Sequence, residues 1–318
     1  MTTDKIDRRG GLWNLLITLL GVVGSILLAL GTSSVTTYVI AAFMILGFVV
    51  AGVSLLHMQL REREQMEARE LEEIQQGATA EALFEKGEVL PAKRSREQFE
   101  RWGMPTVTLI MLGLQIWGIY FISTQRLSAA FETLDSWVIV DPYKALFGAA
   151  LMGLIFFLRG QFASNLARIE KQRFLQPASD YVLFGAYLNF ILAAVVAVSF
   201  KDARADVYVA TGLTILLGVA AVENLLGMIF EMYRPRVTGR QSRLLYQSRL
   251  IGLVAKPENL FTTAGQILDY QFGFKVSETW GYQFLRERLG VIMGLQIIVL
   301  WLSTTIVVIE PSVRGRLV

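Results

Sequence analysis

The sequence predicts an all-α, polytopic membrane fold of about seven transmembrane helices joined by cytoplasmic and interfacial amphipathic helices. Three observations carry that prediction. Of 318 residues, 53% are hydrophobic and only 18% are charged, whereas an average soluble domain is about a quarter charged. The apolar residues fall in uncharged runs of about 20, the length of helix that crosses a ~30 Å hydrocarbon core. The basic residues gather on one side of those runs. The net charge of +3 would suggest a nucleic-acid partner in a soluble protein, but this distribution accounts for it, and no nucleic acid is expected. With no cysteine, disulfides, iron–sulfur clusters and thiol chemistry are excluded. The one histidine, His57, leaves no histidine-based metal set, and no cofactor is implied.

The first span runs from Gly11 to Gly31 without a charge. After the polar turn Thr32-Ser33-Ser34, the second extends from about Val35 to His57, so 1–58 is a helical pair. Residues 59–103 form a charged cytoplasmic loop. Its first part, Arg61 to Gln76, is rich in good helix formers, with Arg63/Glu67 and Arg69/Glu73 spaced i,i+4, and should prolong the second span as a solvated helix. Leu71, Ile74 and Ala78 are too few to make a coiled coil.

Residues 104–230 hold four further spans. The third is Met104 to Ile122. The fourth, Ala145 to Leu158, is too short unless it starts near Trp137, with Asp141 and Lys144 snorkelling at an interface. The fifth is Tyr181 to Phe200 and the sixth Val207 to Phe230; Leu289 to Val308, within 289–309, is the seventh. Placing the N-terminus in the cytoplasm puts 24 Lys and Arg residues on that side and six on the other. The positive-inside rule then orients the chain with its C-terminus outside.

The loop 231–288 opens with Arg234, Arg236, Arg240, Arg243 and Arg249. It continues with an apolar stretch, Leu244 to Val254, and a second after Pro257 with Leu260, Ala264, Ile267 and Leu268 on one face. Tyr246, Phe274, Trp280 and other aromatics are interleaved, and Ser277 is suited to cap a helix leading into the last span. Basic, aromatic, amphipathic segments of this kind lie on a membrane surface or dock on the bundle. Plain interhelix connectors and a groove for a partner protein are the alternatives.

Metalloprotease, nucleophile-elbow and phosphate-loop motifs are absent, as are paired carboxylates at membrane depth, so an enzyme is not expected. One acid lies well inside a span: Glu223, followed by Asn224, about 10 Å from the cytoplasmic end at ~1.5 Å per residue. An acid at that depth is a candidate proton or cation site, toward which His57 and Arg159 could reach. The plainer reading is a satisfied interhelical hydrogen bond or a snorkelling side chain. His57 alone reads as an interfacial cap. Small residues four apart, Gly21/Ser25, Gly47/Ala51, Ala149/Gly153 and Gly290/Gly294, permit close helix approach; Gly290 and Gly294 open the last span and are the candidates for oligomeric contact.

The strings Leu245-Tyr246-Gln247-Ser248-Arg249 and Asp269-Tyr270-Gln271-Phe272-Gly273-Phe274-Lys275-Val276-Ser277-Glu278-Thr279-Trp280, followed by a span and Ile309-Glu310-Pro311, resemble the long, HflK-like members of the SPFH (band-7) superfamily. The resemblance covers about residues 240–318. It implies a non-enzymatic scaffold of the bacterial inner membrane that organises a patch of bilayer. The implied partners are further copies, an HflC-like protein and an FtsH-type AAA protease. Asp269, Phe272, Phe274, Ser277 and Trp280 would serve docking, and 310–318 would be the start of an outer-side domain missing from this chain. The competing expectation is a small transporter or channel subunit built on Glu223, Asn224 and His57.

Overall fold

A computed structural model describes residues 3–77, 91–169, 172–233 and 244–256, and scattered positions within 278–299. Residues 1–255 form one compact unit and 256–318 a second. In the first unit the helices are α1 (Thr3–Thr32), α2 (Val35–Gly77), α3 (Pro91–Gln98), α4 (Met104–Phe121), α5 (Ser128–Glu132), α6 (Pro142–Ile169), α7 (Leu175–Ser199), α8 (Arg204–Met232) and α9 (Arg249–Ala255). Two π-helical turns, Phe99–Gly103 and Ile122–Leu127, bracket α4. Among the described residues there is no strand, and six helices are long and apolar enough to cross a membrane. The seventh expected span, and Gly290 and Gly294 with it, lies largely outside the described residues; the described positions among 280–299 are helical.

α2 and α7 are the most buried helices, with α1, α4, α6 and α8 around them. Large apolar residues such as Phe43, Phe156 and Leu188 fill the core between the helices, but on α1 the burial pattern inverts that of a soluble helix. On α1 the buried stripe is Asn14, Thr18, Gly21, Ser25, Ala29 and Thr32, while Leu27 and Leu30 are 64% and 68% exposed. The buried hydroxyls are satisfied within their own helix, Thr18 donating to Asn14 O at 2.9 Å and Ser25 to Gly21 O at 2.6 Å. Small residues inside and large apolar ones outside are what lipid selects, because hydrocarbon tails give apolar side chains no reason to leave the surface. Trp13, Trp102 and Tyr233 are exposed toward one end of the bundle, and Tyr143 and Tyr208 toward the other, as aromatic belts at two water–lipid boundaries would be.

Glycines set the closest approaches. A Cβ on Gly160 would sit 2.7 Å from Leu183 Cγ and 3.0 Å from Leu183 N, and one on Gly185 2.6 Å from Met44 Cε. Gly21 is equally close to Phe156, and Gly47 lies against Tyr181, so these two predicted small-residue pairs serve contacts inside the chain.

The second helix continues without a break into the charged loop, as its composition predicts. Its expected Arg63/Glu67 pairing gives way to contacts with α3: Glu67 accepts from Ala92 N at 2.9 Å and Glu64 pairs with Arg96 at 2.6 Å. The fourth span differs from its expected start. It begins at Pro142, not near Trp137, after Asp141 in the left-handed region (φ 49°), and gains its length at the other end, running on through Arg159 to Ile169. Proline at the first helical turn fixes that start. Trp137 lies in an extended stretch before it.

Candidate docking site at the charged end of the bundle

Glu223 lies on α8, two turns before its end, and is half-buried. Its carboxylate faces the segment 244–255. Oε2 accepts from Ser248 Oγ at 2.6 Å and from Leu250 N at 3.3 Å, while Oε1 accepts a short bond from Arg249 N. Ser248 Oγ in turn accepts from Ile251 N at 3.2 Å. A carboxylate supplied by another helix thus caps α9, meeting the N–H groups that a helix start leaves without intrahelical partners. The apolar residues seat the same segment: Leu244, Leu245, Tyr246, Ile251 and Ala255 are buried, and Gly252 brings its backbone against Asp180 of α7.

Tyr246 carries the segment into a second polar cluster. Its hydroxyl lies 3.4 Å from His57 Nδ1, and His57 Nε2 faces Glu100 Oε1 at 3.4 Å. Arg96 bridges Glu100 and Glu64. Phe174 packs on the His57 ring at 4.2 Å between centroids, and the Arg61 guanidinium lies over the Phe174 ring at 5.0 Å. Burial opposes ionisation of Glu100, yet the His57 ring and the Arg96 guanidinium outweigh it and hold this carboxyl at about 2, below the ordinary 4.5. Burial, reinforced by the Glu100 charge, pushes the Tyr246 phenol above its usual value, so it remains a neutral donor.

These positions revise the sequence reading in two places. His57 is not an interfacial cap: it is fully buried, boxed by α2, the π-turn at 99–103, Phe174 and Tyr246. Glu223, Asn224 and His57 do not converge on one ion site either. Glu223 is engaged by α9; Asn224 Nδ2 donates to Gln115 Oε1 on α4 at 2.9 Å; His57 faces Tyr246 and Glu100. Arg159 points instead to α1, donating to Gly10 O at 3.0 Å. The interhelical hydrogen bond at this level of α8 is made by Asn224, beside Glu223 for which it was the alternative reading, and its partner is a glutamine in the middle of an apolar helix.

Asp206, at the opposite end of α8, was missed altogether. It is fully buried and caps α2 across the bundle, accepting from Ser34 Oγ at 2.7 Å, Val35 N at 2.8 Å and Thr36 N at 3.2 Å, and from Trp137 Nε1 at 3.2 Å.

No protein-family model, curated protein or solved structure matches this chain.

Among the described residues no group of three or more His, Asp or Glu could hold a metal. Ser248 Oγ donates to Glu223, whose carboxylate also accepts from the Arg249 and Leu250 N–H groups. The arrangement is built to hold a chain segment in place. Of the docking residues expected further on, Asp269, Phe272, Phe274 and Ser277 lie outside the described residues. Trp280 belongs to the second unit, where it is 79% exposed and stacks on Phe284 at 5.5 Å.

Proposed function

We propose that this chain is a non-enzymatic membrane anchor whose helical bundle positions a docked segment, and the chain beyond it, for assembly into a larger scaffold. The observation that carries the reading is the seating of 244–255 on the bundle by Glu223 from one side and Tyr246 from the other. A connector would need only to span the gap; this one spends a membrane-depth carboxylate on its attachment. The lipid-like surface of the bundle supports the membrane half of the reading.

The finer reading rests on the resemblance to HflK-like SPFH proteins. In it the bundle sits in a bacterial inner membrane with its charged end in the cytoplasm and its C-terminus outside. It assembles with copies of itself or an HflC-like partner, and acts on an FtsH-type protease. Alanine at Phe274 and at Trp280 tests it, with oligomer size and co-purifying partners as readouts. Loss of the large assembly at unchanged abundance is the expected result, whereas wild-type oligomers and partners in both variants would overturn it.

A further inference from the structure

Arg159 is a cation whose surroundings ask for an anion. It lies 16 residues along α6 from Tyr143, about 24 Å at ~1.5 Å per residue, which places its Cα inside a ~30 Å core by about one side-chain length. Of its five N–H donors, one Nη2 hydrogen reaches Gly10 O at 3.0 Å, and Nε is buried without a hydrogen-bond partner. Phe162 flanks the guanidinium at 5.4 Å. Among the described residues no carboxylate pairs with it. A cation held at this depth without a counter-charge is costly, and such groups persist where an anion or the headgroup layer completes them.

The register of α1 against α6 places this guanidinium at an open seam. Gly24 meets Met152, Gly21 meets Phe156 and Gly10 meets Leu166, so Arg159 falls on the stripe of α6 that faces α1. Arg9 is exposed immediately before Gly10, whereas Arg8 lies on the other flank of α1, beside Glu62, Glu67 and Glu70 of α2. Arg9 and Trp13, four residues apart, share one flank of α1. Trp13 and Phe162 are 57% and 60% exposed, offering apolar surface on the lipid side of the same seam. Cations at headgroup depth with aromatic surface just inside them suit a phosphate that carries acyl chains better than a free ion.

We propose that the α1–α6 seam binds the phosphodiester headgroup of an anionic phospholipid, with Arg159 as the principal ligand and Arg9 as a supporting charge. The guanidinium is suited to two phosphate oxygens at once, which a lysine can match only as a point charge. The inference rests on the bundle being membrane-embedded, and vesicle flotation tests that premise separately. A chain that floats but shows no Arg159-dependent lipid preference loses this inference alone.

The experiment is thermal unfolding of the full chain in neutral detergent, titrated with phosphatidylglycerol, phosphatidylcholine, or glycerol phosphate without acyl chains. Phosphatidylglycerol should raise the midpoint above that with phosphatidylcholine, and glycerol phosphate should not. Arg159→Gln should weaken the phosphatidylglycerol response about tenfold in apparent affinity, as loss of a charge-assisted pair does. Arg159→Lys should retain part of it, and Arg168→Gln, further along α6, all of it. Because each variant is compared with itself without lipid, a change in intrinsic stability does not mask the result. An undiminished response in Arg159→Gln, no response in the wild type, or an equal response to glycerol phosphate would overturn the proposal.

Discussion

Replacing Glu223 with glutamine tests whether this carboxylate is a fastener. In the wild type it accepts from Ser248 Oγ, Arg249 N and Leu250 N. Glutamine keeps the shape but turns one oxygen into a donor, which must face either the Arg249 N–H or the Ser248–Leu250 pair. Ser248 Oγ can rotate to accept through its second lone pair, but in either orientation the amide NH2 replaces an oxygen to which Arg249 N or Leu250 N donates, so the backbone N–H groups bear the loss. A hydrogen bond to a charged group contributes about 1.5–3 kcal/mol and a neutral one about 0.5–1.5 kcal/mol. The exchange should therefore cost about 1–2 kcal/mol, and Glu223→Ala about 2–4 kcal/mol. The cost should be greatest at the start of α9, where the three donors lie. Amide hydrogen exchange at Leu250, Ile251 and Gly252 should accelerate about 5- to 30-fold in the glutamine variant. Exchange within twofold of wild type in Glu223→Ala would refute the fastening role. A proton-carrying Glu223 predicts the reverse: unchanged exchange, and an ion flux abolished by glutamine.

At the other end of α8, Asp206→Ala should cost about 3–5 kcal/mol in detergent unfolding, because it strands the Ser34, Val35 and Thr36 donors and the Trp137 indole in a fully buried site; a loss below 1 kcal/mol would contradict the geometry. Glu100, held at about 2 when folded against 4.5 otherwise, contributes stability that is complete above about pH 4.5 and lost as pH falls toward 2. Screening at this partly exposed site reduces the contribution to about 1–2 kcal/mol, and Glu100→Gln should flatten that part of the stability–pH curve. Gly160→Ala should destabilise by about 1–3 kcal/mol, because its Cβ meets Leu183 backbone as well as side chain, whereas Gly113→Ala, with nothing within 4 Å, should be neutral or slightly stabilising. Asn224→Leu should cost about 1 kcal/mol through the stranded Gln115 amide, and the double variant with Gln115→Leu should recover part of it.

What was legible in the sequence is what lipid imposes on every residue alike. Uncharged runs located the six described helices that are long and apolar enough to cross a membrane, and the helix formers after His57 gave the unbroken extension of α2. The apolar rhythm from Leu244 to Val254 marked a segment that would bury one face, and 244–255 does so. What stayed hidden depends on a partner far away in the chain. Asp206 and Ser34 are separated by 172 positions and Tyr246 and His57 by 189, so neither contact leaves a local trace. Glu223 was legible as an unusual acid, but its chemistry was not, since a membrane-depth carboxylate reads the same whether it binds a proton or a helix start. The start of α6 was misplaced because the hydrophobic stretch was extended in the wrong direction; Pro142 held the better signal.

The three polar contacts of α8 share a physical reason. Its apolar surface is among the most exposed in the bundle, with Ile215 64% and Val222 54% exposed, and were that surface in hydrocarbon, apolar contact would add little drive for helices to associate. Position would then come from groups that hydrocarbon cannot satisfy. Asp206 binds the start of α2, Asn224 binds Gln115 on α4, and Glu223 binds the start of α9. The two acids are 17 residues apart, about 25 Å along the axis at ~1.5 Å per residue, close to the thickness of the hydrocarbon core. One rigid helix therefore carries a fastening carboxylate near each end of the bundle. A shift of α8 along its axis could not preserve both attachments, so the docked segment at one end is held in register with the α1–α2 turn at the other.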